Sequence, residues 1–451
     1  MEFNIFKEQL FERAKQEGFT DCEVYYSDGE NISISVYEFE LEKYNIDKYI
    51  GLSFRGLING KMGYSYTEIL DEEAIDMLVK KAKEGVVSIE NTDVQFIYKG
   101  DESYSEVKTY SEKLENIDPA ELIEIAIDLE RQTKNYSDKV INLSGCKVSY
   151  SSSISLISNT KNLNLSNKSN LLMAYVIPVI EESNQKQDGM GYQLVEDIKD
   201  IDTKKIASDA VNEAFSKIGA KSIESGNYKT IINNEAMSSL LETFSDVFSA
   251  ESAQRGMSLL KDKEGSNIAS DIVTIVDNPL LDNGLSSTPF DDEGVATYKK
   301  DVVKDGKLIT LLHNLKTAHK SNTKTTGNGF KSSYSSVVSV DPTNFYIEKG
   351  NLTFEELVKE VNEGIIVTDF AGLHSGANSI TGDFSLAAKG YYITKGEKSY
   401  PIEQITVAGN FFELIKDIEN IGNDLKFPLS NIGSLSAKIN SLSIAGKKAK
   451  Y

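Results

Sequence analysis

One stretch restricts the possible folds more than any other. Residues 139–180 alternate ("VINLSGCKVSYSSSISLISNTKNLNL"), rich in Ser and Asn with few charges. A period of two over that length specifies long β-strands with one face buried. The same period runs through Cys22, Val24 and Tyr26 and again through Ile32, Ile34 and Val36. "YIGLSFRGLINGKMGYSYT" predicts a hairpin that turns at Asn59-Gly60, a strong two-residue turn signal.

Helical periods interrupt the strands. Phe3, Phe6, Leu10 and Ala14 share one face, and Gly18 stops the run. Ala74, Ile75, Leu78, Val79 and Ala82 mark a second helix. Asp118-Pro119 opens a third, to about Thr133, with an N-cap followed by Pro at the first helical position. Ile206 to Ile218 form a fourth. "GAKSIESGNYKT" (219–230) is small, polar and aperiodic, and the domain boundary is placed there. The expectation is an α+β chain of two domains: a mixed α/β domain over 1–222 and a β-rich, barrel-like domain over 223–451. In the second, Lys229–Ile232 begins with a strand, and a helix follows with Leu240, Leu241, Phe244, Val247 and Phe248 on one face. "VATYKKDVV" and "LITLLHNL" flank a turn at Asp305-Gly306. "SVVSV", "GIIVTDF", "GDFSLAAKGYYITKG" and "YPIEQITVAG" predict further strands, and short helices begin at Thr353 and near Asn410.

Charge narrows the ligand. Lys plus Arg total 48 against 69 Asp plus Glu, a net charge of −21, and such a field repels phosphates, so nucleic acid is not the expected partner. "MEFNIFKEQLFERAKQ" is charged throughout, and no run of 18 apolar residues occurs, so the expected compartment is the cytoplasm. Cys22 and Cys146 sit in alternating segments, as small core residues do.

Chemistry is sparse. The three histidines are His313, His319 and His374, and no His-Glu pair exists for a helical zinc protease. On a helix, His313 and His319 are separated by about 600°, so they are expected as surface or half-buried residues rather than a metal pair. Ser-x-x-Lys occurs at Ser105/Lys108, Ser183/Lys186 and Ser321/Lys324, as chance gives in a chain rich in both. "TGNGF" (326–330) follows no clear strand and lacks a phosphate-binding lysine pattern. Asp291, Asp292 and Glu293 are adjacent, whereas a calcium loop spaces its carboxylates. They are read as an acidic turn with Gly294 at positive φ.

The order of segments carries more. "FDDEGVATYKKDVVKDGKLITLLHNLKTA", "TTGNGF", "GLHSGANSITGDFSLAAKGYYITKGEKSYPIEQITVAGN" and "ENIGNDL" together closely resemble the TldD/PmbA family, also called modulator of DNA gyrase or the TldD/TldE peptidases. The resemblance covers nearly the whole chain, with F-D-D-E-G and G-D-F-S its most specific parts. It implies a two-subunit metallopeptidase that cleaves unfolded peptides, including peptide-antibiotic precursors. One subunit type carries zinc on a His-Glu-x-x-x-His helix, completed by a cysteine near the C-terminus. Here the matching helix is "SSLLETFSDVFSAES", where Glu242 and Val247 take the histidine positions and Thr243 takes that of the catalytic glutamate. "KFPLSNIGSLSAK" holds no cysteine. The resemblance therefore implies the PmbA/TldE type: no catalytic residue, metal or cofactor in this chain, and zinc in a TldD-like partner, with self-pairing as the alternative. The same resemblance places Asp291, Asp292, Glu293, Gly294, Gly327, Asn328, Gly329, His374, Ser375, Gly376, Gly382 and Asp383 around a peptide cleft or subunit contact. Two other functions stay open: a peptidase active alone through His313, His319 or His374, and a peptide-binding module without proteolysis.

Overall fold

A computed structural model describes residues 1–87 and 94–447. Helix α1 (Phe3–Gln16) ends just before Gly18, whose φ is +95°. The alternating segments then form strands β1 (Cys22–Tyr37), β2 (Glu40–Ile58) and β3 (Lys61–Thr67). Two expected strands in the first stretch are thus one continuous strand. Its hairpin with β2 turns at Glu38 and Phe39, both at positive φ, without any Gly or Asn to announce it. The buried Glu130 carboxylate supplies what the turn residues lack, accepting both their N–H groups at 2.9 Å.

Helices α2 (Glu72–Val87) and α3 (Pro119–Tyr136, capped by Asp118) precede β4 (Val140–Asn159), β5 (Asn164–Glu182), β6 (Gln185–Asp188), β7 (Gly191–Val195) and α4 (Thr203–Ser216). The seven strands make one antiparallel half-barrel sheet, ordered β3-β2-β1-β4-β5-β6 with β7 also on β5. Helices cover only one face. α1 and α2 pack on Val24, Leu52 and Phe54, and α3 and α4 on Ile32, Ile34, Val148 and Val176. The Ser and Asn positions of the alternation line the other face, where Asn31, Ser151, Ser153, Asn167 and Ser169 border a cavity of about 610 Å³.

From Gly226 onward the strands belong to other sheets. β8 (Gly226–Ile232) leads into α5 (Asn234–Phe244), α6 (Ala250–Gln254), β9 (Ile275–Asp277), β10 (Lys300–Lys304) and β11 (Lys307–Leu308). α7 (Leu315–Lys320), β12 (Gly329–Phe330), β13 (Ser339–Val340), β14 (Phe345–Ile347), α8 (Phe354–Lys359), β15 (Glu363–Ala371) and α9 (Leu373–Gly376) follow. β16 (Asp383–Thr394), β17 (Glu397–Asn410), α10 (Phe411–Lys416), β18 (Ile418–Ile421), β19 (Ile432–Gly433) and β20 (Ala437–Ala445) complete the described elements. β8, β15, β16, β17 and β20 pair in a ring, a closed five-stranded barrel, because β17 bonds back to β20. α5 packs on β15 and β19, burying Met237, Leu240, Leu241 and Phe244.

The expected strands over 295–303, 308–315 and 336–340 shrink to short pieces. Their backbone is claimed elsewhere: Leu311 N–H by Glu264 at 2.8 Å and His313 N–H by the Thr326 hydroxyl at 2.7 Å. A segment whose N–H groups bind side chains cannot continue a ladder.

Candidate functional site

Asp291, Asp292 and Glu293 do form a turn with Gly294 at φ +81°, but not an exposed one. Asp291 is 0% exposed. Its Oδ1 accepts the N–H groups of Glu293 and Val295 at 3.0 Å each, and its Oδ2 that of Gly329 at 2.9 Å. One carboxylate thereby joins this turn to the "TGNGF" loop. Glu293, also buried, accepts the Leu315 N–H at 2.7 Å, next to the first turn of α7. The half-buried Asp292 accepts the Lys331 N–H at 2.8 Å and lies beside the Tyr25 hydroxyl.

The turn is also the junction between the half-barrel and the barrel domain. Arg55 of β2 is buried, donates from Nε to Glu23 at 2.7 Å, and stands 3.9 Å from Glu293. Lys331 Nζ donates to the Ser53 hydroxyl at 2.7 Å and lies 4.8 Å from the centre of the Tyr25 ring. The Tyr104 hydroxyl donates to the Gly294 carbonyl at 2.8 Å, and Asp101 accepts the Ala296 N–H at 2.7 Å. Burial raises the pKa of Asp291 well above the carboxylate range, and the neighbouring Glu293 charge adds to it. Burial pushes Asp292 up to about 6 and Lys331 down to about 8. Glu293 is raised by burial, with Arg55 opposing.

Gly327, Asn328 and Gly329 join this cluster, and all three are buried. Asn328 is wholly enclosed, donating to Asp277 at 2.9 Å and accepting from the buried Lys300 at 3.1 Å. The sequence placed these residues around a peptide cleft or subunit contact. Asp291, Gly294, Gly327, Asn328 and Gly329 are interior frame, because backbone N–H groups and a buried Lys–Asp pair consume their polar atoms. Glu293 borders a cavity of about 230 Å³ with Arg55, Tyr64, Arg255 and Asn314.

His374 and Ser375 are exposed on α9, with Gly376 half-buried at its end. Asp383 is exposed and accepts the Asn410 amide at 2.9 Å, while Gly382 is buried at φ +82°, where a Cβ would meet the Phe412 ring at 2.6 Å. Among the described residues no hydrogen bond or shared cavity links this second group to the first. His313 departs from expectation. It precedes α7, is 2% exposed, and holds Nδ1 3.2 Å from the Thr317 hydroxyl, with burial lowering its pKa. His319, at the end of α7, is exposed as expected. Both cysteines are buried, and burial pushes their thiols up to about 12.

The helix and the C-terminal segment singled out by resemblance do meet. Glu242 at the end of α5 accepts the Ser430 hydroxyl at 3.2 Å. Thr243 donates its hydroxyl to the Ser239 carbonyl at 2.8 Å, and Val247 is buried in the core. Zinc needs at least three N, S or carboxylate donors from the protein. These positions offer one carboxylate and two hydroxyls, one of them committed to the backbone, so they do not fit the metal. Among the described residues no three His, Cys, Asp or Glu side chains are grouped to hold an ion.

Comparison with known proteins places the chain. Residues 22–85 match the PmbA/TldA metallopeptidase domain 1, residues 112–218 the central domain and residues 225–446 the C-terminal domain. The first two contribute to one sheet here. The metalloprotease PmbA of Escherichia coli O157:H7 is 28% identical over 73% of this chain and 71% of its own length. A crystal structure from Thermotoga maritima, described as a modulator of a DNA gyrase, is 31% identical with a TM-score of 0.91, covering 98% of this chain and 100% of that one. TldE from Thermococcus kodakarensis, at 19% identity, shares the fold with a TM-score of 0.88 over 98% and 100% of the two chains. With its three regions matched in order and the fold shared end to end, the chain belongs to the PmbA/TldD metallopeptidase family.

Proposed function

We propose that this chain is the PmbA/TldE-type subunit of a two-subunit metallopeptidase, shaping the cleft for unfolded peptides while a TldD-like subunit carries the zinc. The observation that supports this is the meeting of α5 with the 426–434 segment. Where the catalytic type needs histidines, a glutamate and a cysteine, this chain has Glu242, Thr243 and Val247, of which Glu242 meets Ser430. Thr243 cannot serve as the carboxylate that activates water, and Val247 cannot bind a metal. The surroundings suit a supporting role. The Asp291 cluster ties the two domains together, and the cavity lined by Ser and Asn, with Lys108, Glu196 and Asp200 also bordering it, offers donors and acceptors to an extended backbone. His374, Ser375 and Asp383, exposed on the barrel domain, are assigned to the subunit contact together with Gly376 and Gly382 beside them. No described helix is long and apolar enough to cross a membrane, and we place the work in the cytoplasm.

The test is reconstitution. The purified chain should hold no stoichiometric zinc after dialysis and should leave unfolded casein intact. Adding a family member with an intact His-Glu-x-x-x-His helix should produce chelator-sensitive cleavage. One zinc per chain, with cleavage by this chain alone, would sink the proposal.

A further inference from the structure

Three side chains beneath the "TGNGF" loop form a closed triangle of amine, carboxylate and carboxamide. Lys300 on β10 stands opposite Asp277 on β9 in the antiparallel register, so the two side chains leave the same face of the sheet. Asn328, just before β12, meets them there. Lys300 Nζ donates to Asp277 Oδ2 at 2.8 Å and to Asn328 Oδ1 at 3.1 Å. Asn328 Nδ2 donates to the same Asp277 oxygen at 2.9 Å. Lys300 is 6% exposed, and Asp277 and Asn328 are 0% exposed.

The surroundings orient each corner. Asp277 Oδ1 accepts the Thr343 N–H at 2.6 Å and the Thr343 hydroxyl at 2.8 Å, which leaves Oδ2 for the amine and the amide. Asn328 Oδ1 accepts the Thr326 hydroxyl at 2.7 Å. A donor at that oxygen draws charge onto it, leaves Cγ electron-poor and stabilises the oxyanion that forms when Cγ is attacked. The Lys300 ammonium lies 4.9 Å from the centre of the Tyr298 ring. For packing alone, a buried ion pair has little advantage over apolar side chains of the same volume, and such a pair needs no carboxamide in contact with both of its members.

We propose that Lys300 and Asn328 join in an intramolecular isopeptide bond, with Asp277 as the proton carrier. Lys300 Nζ passes one proton to Asp277 Oδ2, and its freed lone pair forms a bond to Asn328 Cγ, one bond beyond the oxygen it already touches. Asp277 returns the proton to Nδ2, the Cγ–Nδ2 bond breaks with its electron pair leaving on nitrogen, and the second Nζ proton passes to Asp277. The products are a secondary amide and one ammonia, with no oxidant, reductant or other reactant consumed. An amine and an amide are inert toward each other in water. Enclosure holds these two in contact and excludes the water that would compete for Cγ. The bond links β10 to the residue before Gly329, whose N–H binds Asp291, so it secures the loop that the acidic turn grips.

The experiment is mass spectrometry of the full chain after folding, first intact under denaturing conditions and then as a tryptic digest. The intact mass should be lower than the sequence mass by one ammonia. Residues 300–304 (KDVVK) and 325–331 (TTGNGFK) should be recovered as one cross-linked species. Lys300→Met removes the nucleophile at similar volume, and Asp277→Asn removes the proton carrier at the same shape. Both variants should have the full mass and release the two peptides separately. A parent of full mass overturns the proposal. So does a parent lighter by one ammonia whose two peptides still separate, since the ammonia would then have left an Asn-Gly pair such as Asn59-Gly60 as a succinimide. A cross-link that persists in Asp277→Asn overturns the part given to Asp277. The parent's own digest decides the bond whether or not a variant folds.

Discussion

Replacing Asp291 by Ala tests whether the carboxylate cluster is structural frame. The side chain is wholly buried and satisfies three backbone N–H groups, those of Glu293, Val295 and Gly329. Alanine leaves three enclosed donors without a partner, each costing about 1–3 kcal/mol. These share one carboxylate, so their costs are not additive, and part is offset because a buried carboxylate is itself expensive to ionise. The net expectation is a loss of about 3–5 kcal/mol. Asn keeps the Oδ1 acceptor but turns an N–H₂ toward the Gly329 N–H, so Asp291→Asn should lose about 1–3 kcal/mol. The chain has no tryptophan, so circular dichroism suits the urea titration. Hydrogen exchange localises the effect: the amides of 293, 295 and 329 should lose protection in the Ala variant before the barrel strands do. A midpoint unchanged within about 0.5 kcal/mol, together with unchanged protection at those three amides, would refute the account and return the motif to an ordinary turn.

Glu130→Ala should destabilise the half-barrel by about 1–3 kcal/mol, because it releases the Glu38 and Phe39 N–H groups from a turn at positive φ. Limited proteolysis should then cut first between 38 and 50, and unchanged cleavage would remove Glu130 as the anchor. Asp292 titrates in the folded chain near 6, above its ordinary value of 3.8. The folded state therefore binds more protons than the unfolded state between those values, and this group's contribution to stability falls as pH rises through that window. Measured against Asp292→Asn, the parent should lose stability from about pH 4 to about pH 6 and change little above. A difference that is flat, or that grows with pH, would contradict the burial of this carboxylate.

Much of the architecture is legible because periodicity is local. The alternation at 139–180 gives β4 and β5, Asn59-Gly60 gives the β2–β3 turn, and Asp118-Pro119 gives the cap of α3. The Glu38-Phe39 turn is illegible, because its stabilising partner lies 92 residues away on α3. The site divides in the same way. F-D-D-E-G is recognisable as a turn, but its burial depends on Arg55, Lys331 and Tyr25, which no sequence spacing connects to it. His313 is hidden for a related reason, since it precedes α7 and is enclosed by the hydroxyls of Thr317 on that helix and Thr326 in the loop beyond it.

Closure of the barrel has a consequence for how the chain is made. β8 is the first barrel strand synthesised, yet its neighbours are β15 and β20, and Ile232 pairs with Ala437 near the end of the described residues. Until β20 has been translated, one side of β8 lacks its final partner, and β17 lacks its second. Contacts so distant in sequence slow folding. A nascent chain therefore carries open barrel-strand edges through much of the second half of its elongation, and a ribosome paused before residue 437 would hold a barrel that cannot shut. The half-barrel sheet takes all its strands from residues 22–195 and can assemble while that wait continues, so the first half of the protein is built early and the second half locks only when its last strand arrives.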